Sequence, residues 1–63
     1  MKNKLRDIRK AQGLTLHALS VKTNLRLAHI SQIELGRVTP KVDTVRKLAD
    51  ALGAAMDDIF PAA

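Results

Sequence analysis

An all-α chain, a compact five-helix bundle, is the fold class that three features of this sequence predict. Gly13, Asn24, Gly36, Pro40, Gly53 and Pro61 cut it into five short segments. Within each segment the apolar residues recur at helical spacing. No run alternates β-branched and polar residues as a strand would. With 63 residues the chain makes one domain, spanning 1–63. Each segment is shorter than the roughly 12 residues that hold a helix alone in water, so the five must pack on one another.

The first helix is expected at about 3–12, with Leu5, Ile8 and Gln12 on one face and Arg9 one turn beyond Leu5. Gly13 follows as a left-handed stop. The second, about 15–23, opens on Thr15 as N-cap and turns Leu19 and Ser20 inward. Asn24 stands where the chain turns sharply, and Asn tolerates positive φ better than other residues bearing a side chain. The third helix, about 26–35, buries Ile30 and Ile33, with Glu34 flanking that stripe. Ala28, Ser31, Gln32 and Leu35 lie on its other face. The fourth, about 42–52, carries a stripe of Val42, Val45, Leu48, Ala49 and Leu52 and closes at Gly53; a last turn covers 56–60.

The second and third segments, joined at Asn24, have the spacing of a helix-turn-helix. Its physical demands are met in turn. Ser20 is small where the two helices must cross, Asn24 supplies the left-handed turn, and Leu25 docks beneath both helices. Ile30 and Ile33 then pin the second helix and leave its outer face free for a major groove.

Charge points the same way. Eleven Lys and Arg face six Asp and Glu, a formal +5, and residues 1–37 alone hold +6 against −1 for 38–63. A basic half of this kind suits a polyanion, nucleic acid before an anionic membrane or an acidic protein. Composition removes other classes. Apolar residues at 46% and charged residues at 27% describe a folded chain. The single aromatic, Phe60, leaves no platform for stacking bases. The absence of Cys excludes disulfides, thiolate zinc sites and cysteine nucleophiles. No apolar run is long enough to span a membrane, and no apolar stretch follows the N-terminal lysines, so a cytoplasmic chain without a secretory leader is expected.

No catalytic residue, metal ligand or cofactor site is expected. His17 and His29 lie on different helices without a carboxylate or Cys at ligand spacing. Asp57 and Asp58 open the last helix, where its dipole favours them. Met56, Ile59 and Phe60 have two uses, sealing the core or forming an apolar dimer patch.

These residues carry a family resemblance. The run Gly13-Leu14-Thr15, Leu19-Ser20, Asn24-Leu25, Ile30-Ser31-Gln32-Ile33-Glu34, Gly36, Pro40 and Leu48-Ala49-Asp50-Ala51-Leu52-Gly53 resembles the Cro/C1-type (Xre-like) helix-turn-helix domain over about residues 3–60. The stretch from Ile30 to Gly36 is its most specific part, joining core, polar and terminating residues in fixed order.

The resemblance implies a lambda-repressor-like DNA-binding fold and a role as a transcriptional regulator, a repressor working as a homodimer on a palindromic double-stranded operator. It implies base-reading positions at Arg26, Leu27, Ala28 and Gln32. Phosphate-binding positions would be Thr15, Leu16, Ser31, Arg37, Thr39, Lys41 and Val42. It further implies a structural ion pair between Arg9 and Glu34, and dimerisation through the end that holds Met56, Ile59 and Phe60. The alternative it leaves is a protein-interaction module, or an antitoxin or restriction–modification controller acting with a partner protein. Three positions depart from the family pattern. Leu16 stands where Gln is common and offers phosphate only its backbone N–H; Arg26 replaces the usual Ser or Thr cap; Leu27 is apolar where a polar reader is common.

Overall fold

A computed structural model describes residues 2–61. Five helices follow one another: α1 (Leu5–Ala11), α2 (Leu16–Thr23), α3 (Leu27–Glu34), α4 (Val42–Leu52) and α5 (Met56–Ile59). There is no strand among the described residues. The all-α, five-helix fold class is the one expected. α3 packs on α2 and α1, while α4 packs on α2 and holds α5.

The core is aliphatic. Leu5, Leu19, Ile30, Ile33, Leu48 and Ile59 are fully buried, with Ala49 and Leu52 beside them. Every helix thus contributes to one centre, as helices too short to stand alone require. Ile8, Leu14, Leu16, Leu25 and Phe60 close the margins. At roughly 1.5–3 kcal/mol for each large aliphatic side chain taken out of water, this centre is the main source of cohesion.

The turn between α2 and α3 is held by side chains reaching backbone. Asn24 takes φ 59° and ψ 27°, the left-handed conformation expected of it. The Thr23 hydroxyl donates to the Leu19 carbonyl at 2.8 Å and accepts the Leu25 N–H at 3.3 Å. Ser20 Oγ donates to the Leu25 carbonyl, so the small residue at the crossing also anchors the turn. Thr15 caps α2, its hydroxyl accepting the Ala18 N–H at 3.0 Å.

Several expectations need correction. α1 is shorter than 3–12, because Asn3 stays outside the helix, where its side chain bonds the start of α1 and the backbone of α3. Its Oδ1 accepts the Leu5 N–H at 3.0 Å, and its Nδ2 donates to the Ile33 carbonyl at 2.8 Å. Gln12 is the exposed C-cap just beyond α1 rather than part of its inner face. Its amide nonetheless donates to the carbonyl of Leu52 at the last turn of α4. α3 begins and ends one residue inside its expected span, with Arg26 and Leu35 as its flanking caps. Val42 does not belong to the buried stripe of α4, being 64% exposed at the helix's first position, where the helix has run past the core. α5 ends at Ile59, with Phe60 outside it at φ −122°. Ile59 cannot line an outward dimer patch, because it is fully buried. It takes the core-sealing use instead, while Met56 remains exposed and Phe60 half-buried.

Candidate nucleic-acid interface

The outer surface of α3 follows from its inner one. With Ile30 and Ile33 buried, the helical period turns Ala28, Ser31, Gln32 and Leu35 away from the core. Ala28 and Leu35 are exposed, and Ser31 and Gln32 are half-buried. Leu27, on the flank of this face, is 42% exposed. Arg26 is exposed at the N-terminus of α3 and makes no side-chain cap there. The first N–H groups of α3 therefore have no side-chain acceptor at the cap position.

Cations stand at both ends of this surface. In the connection from α3 to α4, Arg37 and Thr39 are exposed, and Lys41 is exposed at the N-cap of α4. The loop is fixed to the helix it leaves: Gly36 N–H donates to the Ile33 carbonyl and Arg37 N–H to the Gln32 carbonyl, each at 3.0 Å. Gly36, at φ 73°, supplies the left-handed residue this helix end needs. Thr15 and Leu16 sit at the start of α2, the former exposed and the latter half-buried. Ser31, Leu16, Leu35 and the Arg9–Glu34 pair border one recess.

Arg9 and Glu34 join α1 to α3 in a two-pronged ion pair. Arg9 Nε donates to Glu34 Oε2 at 2.6 Å and Nη2 to Oε1 at 3.1 Å, while Nη1 donates to the Leu14 carbonyl at 2.8 Å. Both side chains are shielded, at 8% and 5% exposure. The hydrogen bond to Glu34 raises the Arg9 pKa above its ordinary value, against the downward pull of burial and with help from the carboxylate's charge. The guanidinium therefore stays charged, and three elements are locked in one register behind the outer face of α3.

His17 and His29 are both exposed, on α2 and α3. Asp57 and Asp58 lie in the first turn of α5, and Asp58 accepts the Ala55 N–H at 3.3 Å. Among the described residues no three His, Cys, Asp or Glu side chains gather as a metal site would need. Among the described residues no helix is long and apolar enough to cross a membrane.

Two structural roles were not visible from helical spacing alone. The Asn3 bridge from α1 to α3 has a sequence signal, an Asx residue two positions before the first apolar helix residue. The hydrogen bond from Lys22 to the Ala51 carbonyl, at 3.2 Å, has none.

Comparison with known proteins agrees with this geometry. The helix-turn-helix family model matches residues 5–59, from the first residue of α1 to the last of α5. The chain belongs to the Cro/C1-type helix-turn-helix family. RghRB of Bacillus subtilis, named an HTH-type transcriptional regulator, is 42% identical over 60 residues, which cover 94% of this chain and 43% of that protein. A solved HTH_3 family transcriptional regulator from Vibrio cholerae superposes with a TM-score of 0.82 at 35% identity, over 90% of this helix-turn-helix chain and 32% of the other. The restriction–modification controller protein C.AhdI from Aeromonas hydrophila gives a TM-score of 0.83 at 27% identity, over 87% and 83% of the two chains. The chain thus spans under half the length of the Bacillus and Vibrio proteins and most of the controller's.

Proposed function

We propose that this helix-turn-helix chain binds double-stranded DNA by sequence and regulates transcription in the cytoplasm, as a repressor that pairs into a homodimer on an inverted repeat. The observation that carries this reading is the outer face of α3: a rigidly backed helix presenting Gln32, Ala28 and Leu27, with Arg26 at one end and Arg37 beyond the other. In this reading Gln32 pairs with an adenine edge, and Leu27 and Ala28 pack against thymine methyls. Arg26 reaches a base from the start of the helix. Thr15, Leu16, Ser31, Arg37, Thr39, Lys41 and Val42 rest along the phosphates, where helix N-termini and cations favour an anion. The Thr15 hydroxyl accepts the Ala18 N–H and keeps its own O–H to donate to a phosphate oxygen.

The dimer follows from reach. The described residues extend 29 Å in their longest dimension, less than the roughly 34–36 Å between half-sites one DNA turn apart. Two copies related by a twofold axis are needed to read both halves. Selection from random duplexes tests the reading: an inverted repeat should emerge, bound with affinity that falls steeply with salt, at about −0.9 in log–log slope for each neutralised phosphate. Failure to bind any duplex at low salt would overturn it.

A second reading is favoured by one feature. Leu27 and Leu35 expose 42% and 57% of their surface on α3, more apolar area than a purely polar reader needs. A partner protein docking there would make the chain an interaction module, an antitoxin or a controller. Binding to such a partner would show weak salt dependence, the opposite of the duplex.

A further inference from the structure

We propose that Arg6, on the exposed side of α1, is an additional phosphate-gripping residue that brings the first helix into the DNA contact. The inference rests on the DNA-binding reading above and adds a residue that neither the helix-turn-helix spacing nor the outer face of α3 identifies.

Arg6 borders a recess of about 170 Å³ together with Leu16 at the start of α2 and Ser31 and Leu35 on α3, with the Arg9–Glu34 pair behind them. The charges of that pair are spent on each other and on the Leu14 carbonyl. Arg6 is different. It is exposed, and its side chain makes no ion pair or hydrogen bond among the described residues. The recess therefore holds one uncompensated guanidinium, three positions before Arg9 and so on the same side of α1. Next to it stands the half-buried Ser31, whose hydroxyl donates or accepts freely. Leu16, which occupies the α2 side, has no side-chain donor at all. An anion lying across the start of α2 finds no cationic side chain on α2 there, and Arg6 is the cation placed to supply one. A guanidinium suits a phosphodiester because its planar fork reaches both non-bridging oxygens at once. The occupant this chemistry selects is a backbone phosphate of the duplex whose bases α3 reads.

The full chain, a mixed-sequence duplex and a salt titration followed by fluorescence anisotropy decide the matter. Arg6→Ala should weaken binding by the same factor on every sequence and reduce the salt slope by about 0.9 per bound protomer, the signature of one lost phosphate contact. Arg6→Lys should restore the slope, since the cation returns. Lys47→Ala, which removes the same net charge beside a separate cleft at the other end of α2, should leave the slope unchanged. An unchanged slope in Arg6→Ala overturns the proposal, and so does an equal fall in Lys47→Ala, which would make bulk charge the cause. If the unaltered chain binds no duplex, the DNA reading itself fails and takes this one with it; if it binds and only Arg6→Ala is silent, the DNA reading stands alone. Thermal melting of Arg6→Ala should match the parent, because the side chain holds no partner in the fold.

Discussion

The carbonyl of Gln32 accepts the N–H of Arg37, so a side chain on the outer face of α3 and a cation in the next loop share one rigid frame. Their chemistry differs. Gln32 carries an amide able to match the donor and acceptor of a single base, whereas Arg37 carries a charge that any phosphate satisfies. Gln32→Ala should cost roughly 1–3 kcal/mol on the best site and much less on a scrambled one, flattening the preference at one base pair. Arg37→Ala should lower affinity alike for both. Competition binding against a set of single-base operator variants separates the two outcomes, and identical profiles for both variants would show that reader and clamp are wrongly assigned.

At the scale of elements, the Arg9–Glu34 pair sets the position of α3 against α1. Because its charges are shielded from solvent and further bonded to Leu14, removing one partner leaves the other stranded. Arg9→Met should cost about 3–5 kcal/mol, while Arg9→Met combined with Glu34→Leu should recover most of that loss. Urea unfolding of the single and double variants measures the difference; a double variant as weak as the single would mean that the pair itself supplies net stability. The hydrogen bond to Glu34 raises the Arg9 pKa above its ordinary value, so this contribution is fully present below that ordinary value and is lost only as pH rises through the still higher folded one. Melting should therefore show no loss from Arg9 through neutral and mildly alkaline pH.

The same scale shows which elements could be read in advance. Gly13 and Asn24 take the left-handed conformation expected of them, because the need for positive φ restricts the residue locally. The central pattern of α3 is equally local, since Ile30 and Ile33 face one way only if Ser31 and Gln32 face the other. The misplaced boundaries have another origin. Asn3, Gln12 and Val42 fit a helical period, yet the two amides serve carbonyls 30 and 40 residues away and Val42 lies where α4 has outrun the core. Arg6 was missed for the same reason: its neighbours in the recess come from α2 and α3, and no spacing along α1 reveals them.

For the whole molecule, the balance between core and surface at the C-terminal end bears on the proposed pairing of copies. Ile59 is fully buried among the other aliphatic side chains, so it holds the protomer together and has nothing left to offer a partner. Met56 in the same short helix is 39% exposed, and Phe60 is packed along the margin of the core. In the proposed homodimer, an apolar contact at this end would be made by Met56 with the outer edge of Phe60, since a small domain gains stability from further burial. Met56→Asp should shift the chain towards monomer at a given concentration while leaving its helical circular dichroism intact, because a charge at the contact is desolvated only in the dimer. Ile59→Ala should instead cost about 2–5 kcal/mol of folding stability and lower the melting temperature at every concentration. Sedimentation velocity with parallel thermal melts reads both effects. Because the proposed dimer would span both halves of an inverted repeat, Met56→Asp should also weaken binding to the full repeat far more than to an isolated half-site. Equal loss on both would place the contact between copies away from α5.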